Sequence, residues 1–106
     1  MISSAQRRAC ELLVARQVVR ALADRGIDVP EAEELIEDAV LRTREFSLLG
    51  LSSLDWIALA TRLEDAIGAE IPDHVLVSPE HRCVAGWGDA VLAVRTAQAG
   101  AHQPNH

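Results

Sequence analysis

Two adjacent hydroxyls, Ser52 and Ser53, stand where the turn signal Leu49-Gly50 gives way to the apolar-periodic stretch Leu54-Asp55-Trp56-Ile57. Serine is a good helix N-cap because its oxygen can accept a hydrogen bond from an unpaired first-turn N–H. Ser52 with Asp55 also has the S-x-x-D spacing of a capping box. The spacing predicts a helix that begins here with one or both hydroxyls at its positive end. Free N–H groups and the helix dipole favour a phosphate at that end. Read alone, this stretch is better taken as an ordinary capped helix, and the residues downstream change that balance.

No other part of the chain assembles a reaction centre. Ser53 has no His and acid at a recognisable triad spacing, and no nucleophile-elbow motif surrounds it. His81-x-Cys83 is the only close pair among the possible metal ligands, and a zinc site needs two more, so no metal is expected. There is no glycine-rich phosphate loop or dinucleotide fingerprint. Cys10 and Cys83 are isolated and far apart; they read as small hydrophobes rather than a disulfide framework. Enzymatic activity is therefore not expected.

The elements that must position the serines are helical. The 106 residues form one domain, 49% apolar and 25% charged, with only three aromatic residues, Phe46, Trp56 and Trp87. Leu, Ile, Val and Ala do the packing, which suits helices better than a sheet sandwich. Residues 5 to 24 read as the first helix, with Ser4 as N-cap and Gly26 as its stop. Ala9, Leu12, Leu13, Val18, Val19, Leu22 and Ala23 recur there at spacings of three and four. Pro30 suits the first position of a second helix over Glu31–Arg44, with Leu35, Ile36, Ala39, Val40 and Thr43 on one side. Phe46, Leu48, Leu49 and Leu51 read as a loop tucked onto the core. The central helix runs from Ser53 to Ile67 and stops at Gly68; its periodicity turns Leu54, Ile57, Ala58, Thr61, Leu63 and Ile67 inward. His74–Val77 is a short helix or turn. The last helix runs from Cys83 to about Ala97 around Trp87, and residues 98–106 read as a disordered tail, leaving a domain over 1–97.

The formal charge is −6, with no lysine. That argues against nucleic acid, which requires clustered cations. It suits basic docking patches on partner proteins. No apolar run reaches the length of a membrane span, and no signal-peptide pattern opens the chain, so a cytoplasmic, monomeric protein is expected.

The order of features resembles a known family. Phe46-x-x-Leu49-Gly50-x-Ser52-Ser53-Leu54 is similar to the acyl carrier protein signature F-x-x-L-G-x-D-S-L. Leu63-Glu64-Asp65, Ile67-Gly68 and Glu70-Ile71-Pro72-Asp73 follow the family's L-E-E-x-[FI]-G-x-x-I-P-[DE] ending. Cys83-Val84 and Asp89-Ala90-Val91 resemble the start of its final helix. The likeness is collinear over about residues 46–94. It implies an all-α, four-helix carrier bundle of three main helices and one short one, here with an extra helix in a long first connection. It implies phosphopantetheine attached at Ser53, with Ser52 the competing hydroxyl, donated from coenzyme A by a phosphopantetheinyl transferase. Acyl-loading and ketosynthase-type enzymes are the further implied partners. Leu54, Asp55, Ile57, Ala58, Thr61, Glu64 and Asp65 match the family's partner-docking positions. Ser52 replaces the family's Asp, Ala58 the Glu usual in fatty-acid carriers, and Cys83 the usual Thr. These departures imply a freestanding carrier of specialised, polyketide-type metabolism. An aminoacyl or peptidyl carrier, and an unmodified carrier-like interaction domain, are the alternatives.

Overall fold

The computed structural model describes residues 3–101, and among them it contains seven helices and no strand. They are α1 (Ser4–Asp24), α2 (Ala32–Glu37), α3 (Ala39–Arg42), α4 (Phe46–Leu49), α5 (Ser53–Ile67), α6 (Asp73–Val77) and α7 (Val84–Ala101). The three long helices α1, α5 and α7 carry the bundle and α6 is the short fourth. The long connection after α1 holds α2, α3 and α4. The all-α bundle is thus as expected, and α1 packs against both α7 and α5.

α1 starts one residue before the predicted position, because Ser3 and not Ser4 is the N-cap, in a reciprocal capping box with Gln6. The buried face of α1 is also rotated from the predicted stripe. Cys10, Glu11, Val14, Ala15, Val18, Ala21 and Leu22 are buried, whereas Ala9 and Ala23 face solvent. The middle of this helix is apolar on several sides, so contact with α7 decides which side is covered. The two helices come close together at Gly88. A Cβ added there would stand 2.6 Å from Glu11 Cγ and 3.2 Å from Glu11 Cα. Gly88→Ala is therefore expected to push α1 away and cost about 1–3 kcal/mol in a urea melt; an unchanged midpoint would contradict this packing.

Glu11, only 3% exposed, receives two hydrogen bonds from the Arg42 guanidinium, at 2.6 and 2.7 Å. This bidentate pair fastens the α3 end of the long connection to α1. The single helix predicted over Glu31–Arg44 is instead two. Asp38 leaves helical geometry, with φ −85° and ψ 115°, and its carboxylate accepts from the Val40 and Leu41 N–H groups at 2.9 and 3.1 Å. The break changes the helical phase. Leu35 and Ile36 are buried and Leu41 packs against the core, but Val40 is exposed.

The stretch predicted as a loop before the serines contains a helical turn, α4, because the Glu45 carboxylate accepts from the Ser47 N–H and fixes its start. Phe46 is buried against Trp87, ring centres 4.9 Å apart and edge to face; Trp56 meets Trp87 in the same way at 6.4 Å. α6 is a short helix, as expected. α7 continues to Ala101, about four residues past its predicted end. There the Gln98 amide donates to the carbonyls of Ile67 and Gly68, at 3.2 and 3.4 Å, which ties its last turns to the end of α5. The predicted tail is therefore helical over 98–101, and its remainder, 102–106, lies outside the described residues.

Candidate functional site

The chain enters the site from two anchors in the core. Phe46 is fully buried and Leu51 nearly so, and the Leu51 N–H donates to the Phe46 carbonyl at 3.1 Å. Between them Gly50 has φ +112°, a conformation that L side chains rarely adopt. A Cβ there would also stand 2.8 Å from Ile27 Cδ1. This turn delivers Ser52 and Ser53 to the surface at the start of α5.

The two hydroxyls have different fates. Ser52 is the N-cap and is half-buried. Its Oγ donates to Asp55 Oδ2 at 2.9 Å and accepts from the Asp55 N–H at 3.3 Å, while its own N–H donates to Asp55 Oδ2 at 2.8 Å. The predicted capping box is present and engages this hydroxyl as both donor and acceptor. Ser53, the first helical residue, is exposed, and its hydroxyl makes no hydrogen bond among the described residues. The N–H groups of the first helical turn lack intrahelical acceptors, so the positive end of a 15-residue helix stands beside that oxygen.

Asp55 is the hinge of this arrangement. Besides capping, it pairs with Arg25, the residue that ends α1, so the end of one long helix is tied to the start of another. The Ser52 N–H first and the Arg25 guanidinium second hold Asp55 at about 2, below the ordinary 3.8. A carboxyl lowered in the folded state contributes stability in full above its ordinary pKa, and that stability is lost as pH falls through the folded value. Urea midpoints should therefore fall as pH drops from about 4 to about 2, and the Asp55→Asn variant should show a shallower fall in that window. Equal slopes would mean that Asp55 is not held down.

Arg82 secures the other side. It pairs with Glu45 at 3.1 Å and stacks over the Trp56 ring at 4.8 Å, and its carbonyl accepts from the Phe46 N–H at 2.9 Å. Burial raises the Glu45 pKa, but hydrogen bonds from Ser47 and the Arg82 guanidinium outweigh it and hold the carboxyl below its ordinary value.

The remaining predicted residues divide by helix face. Leu54, Ile57, Ala58, Thr61 and Asp65 form one exposed stripe that runs from Ser53 along α5. The periodicity that turned Leu54, Ile57, Ala58 and Thr61 inward is thus corrected. Leu63 and Ile67 are buried as expected, Leu59 and Ala60 are buried with them, and Trp56 packs beside them. α5 carries two apolar stripes, and the one bearing Trp56 reaches the Phe46–Trp87 cluster. Glu64 turns toward the chain beyond α5, where it accepts from the Ile71 N–H at 2.8 Å. Asp55 is likewise engaged within the molecule.

Arg25, Arg82 and the exposed Leu48 were missed as site residues. The arginines act across long sequence separations and leave no local signal. Leu48 does leave one, since a helical turn that buries Phe46 and packs Leu49 inward must turn Leu48 outward. Cys10 and Cys83 are buried and unbridged, and Cys83 Sγ accepts from the Gly86 N–H at 3.3 Å just ahead of α7. Among the described residues no three His, Cys, Asp or Glu side chains are grouped to hold a metal ion, and no helix is long and apolar enough to cross a membrane.

At the start of α5 the geometry offers one hydroxyl without a hydrogen-bond partner among the described residues, exposed and braced on both sides, which is a chemically apt point for a phosphate ester. A family model described as a phosphopantetheine attachment site matches residues 31–91. No curated protein and no solved structure matches the chain.

Proposed function

The chain belongs to the phosphopantetheine attachment site family, whose domains carry that group covalently, and from this membership we propose that Ser53 is its attachment residue and that the protein is an acyl carrier of a specialised, polyketide-type pathway. The observation that carries the proposal is the contrast between the two hydroxyls: Ser52 is consumed by capping, and Ser53 is exposed and unbonded. The site fits the group. A phosphodiester on Ser53 Oγ would place its charge at the N-terminus of α5, and the neighbouring Asp55 carboxylate is already offset by Arg25.

Ser53 acts by holding. Its Oγ would form the bond to phosphorus as the pyrophosphate bond of coenzyme A breaks, with adenosine 3′,5′-bisphosphate leaving and the hydroxyl proton passing to a base of the transferase, while Ser52, Asp55 and Arg25 keep the helix start in place. Once attached, the group supplies a terminal thiol on which an acyl chain is held as a thioester. The chemistry on that chain belongs to partner enzymes, first a phosphopantetheinyl transferase and then loading and ketosynthase-type enzymes, which meet the exposed stripe of α5. Ser52 takes over the helix cap at the position of the family's Asp, so its presence is compatible with a working carrier. The specialised assignment draws support from the exposed Ala58 and from the extra helices α2 and α3.

The test is incubation of the purified chain with coenzyme A and a broad-specificity transferase, followed by intact-mass measurement. One added phosphopantetheine is expected. No addition with several transferases would overturn the proposal in favour of an unmodified interaction domain.

A further inference from the structure

We infer that the Arg25 guanidinium receives the phosphate of the attached group and so fixes the root of the arm on the α1 side of α5. The inference rests on the proposal that Ser53 is the attachment residue, and it names the side chain that the phosphodiester meets.

Attachment changes the charge at the start of α5. A neutral hydroxyl gives way to a phosphodiester, which is anionic at neutral pH. A carboxylate already stands there, because the Ser52 N–H and the Arg25 guanidinium keep Asp55 ionised. The first-turn N–H groups of α5 offset part of the added charge. The remainder repels Asp55 unless a cation lies close to both.

Two arginines brace this turn, and their surroundings differ. Arg82 is shut in. Its side chain is 18% exposed, lies over the Trp56 ring and donates to Glu45 and to the Val77 carbonyl. Arg25 is 43% exposed and uses a single side-chain nitrogen. Its Nε donates to Asp55 Oδ2, the same oxygen that accepts from the Ser52 N–H at 2.8 Å and from the Ser52 hydroxyl at 2.9 Å. The guanidinium is therefore held beside the residue that precedes Ser53. Its terminal amino groups have no partner among the described residues. Asp24 and Asp28, the acids nearest to it in sequence, are exposed and make no ion pair among the described residues, so neither draws it away. A guanidinium is a planar fork of several donors, so one tied to a carboxylate through Nε still offers its other nitrogens to phosphate oxygens.

The experiment compares melting midpoints before and after loading for the unaltered chain, Arg25→Gln and Arg25→Lys, at about 0.02 M and about 0.5 M salt. Loading uses coenzyme A and an excess of a broad-specificity phosphopantetheinyl transferase, and intact mass confirms it. Each chain is its own reference, so the Asp55 pair that a variant lacks in both forms cancels. At low salt, loading should shift the midpoint of Arg25→Gln downward by about 3 °C or more relative to its effect on the unaltered chain. Arg25→Lys should fall between the two, because an ammonium keeps the charge but not the fork. High salt should shrink the difference to about 1 °C or less. Equal shifts in the unaltered chain and Arg25→Gln at low salt would overturn the inference, and so would a difference that high salt leaves intact. A second measurement needs no variant: NMR of the arginine-labelled chain should show the terminal N–H protons of Arg25 exchanging more slowly with water once the group is attached. Unchanged exchange would also overturn the inference, while the attachment reading would stand. No addition to the unaltered chain at all would sink that reading, and this inference with it.

Discussion

Ser53→Ala is expected to abolish phosphopantetheine addition while leaving the fold intact. No other oxygen at the start of α5 is both exposed and free, so removing this one removes the acceptor. The fold should survive because Ser53 is not the cap. It is the first helical residue, and alanine is a good helix former. Its melting midpoint should differ from the unaltered chain by no more than about 0.5 kcal/mol equivalent. Ser52→Ala should behave in the opposite way. It loses the capping box with Asp55 and should cost about 1 kcal/mol, yet still accept the group. If Ser53→Ala is loaded and Ser52→Ala is not, the assignment of the two hydroxyls is reversed.

Trp87→Ala has the largest expected effect on stability. Trp87 is fully buried at the meeting point of α4, α5 and α7, against Phe46 and Trp56. Truncating such a ring removes its transfer energy and leaves a cavity, for about 3–5 kcal/mol. One feature trims that loss: the indole N–H is buried without a hydrogen-bond partner among the described residues, and truncation removes this unsatisfied donor as well. Domains of this kind hold only about 5–15 kcal/mol in total, so the variant should melt far below the unaltered chain. An unchanged urea midpoint would mean that Trp87 does not hold the three helices together. Because Phe46 and Trp56 flank Ser53 in sequence, the same loss should slacken the turn that presents the serine.

The parts of this molecule that were legible in its sequence are those fixed by local chemistry. The bounds of α5, its Ser52–Asp55 capping box and its Gly68 stop depend on residues a few positions apart, and each is found where expected. The short α6 after Pro72 and the central place of Trp87 were legible for similar reasons. What stayed hidden depends on partners far along the chain. The buried Glu11 requires Arg42 beside it and Gly88 across from it, separations of 31 residues and more. The Arg25–Asp55 pair, which braces the candidate site, spans 30 residues. The inward face of α5 was ambiguous because two apolar stripes share the helix, and only the position of Trp87 selects the one bearing Trp56. Asp38 lies inside the stretch expected as a single helix over Glu31–Arg44; its role as a cap that splits α2 from α3 shows only when its carboxylate is seen on the Val40 and Leu41 N–H groups.

The most direct test of the central claim is to find which oxygen carries the group. Trypsin should release residues 45–62, bounded by Arg44 and Arg62 and containing Ser47, Ser52 and Ser53. After reaction with coenzyme A and a transferase, fragmentation of this peptide by tandem mass spectrometry reads the position. Fragments ending before Ser53 are expected to be unmodified, and those that include Ser53 should carry the full phosphopantetheine mass. The added mass on fragments that end at Ser52, or on a peptide elsewhere in the chain, would contradict the account.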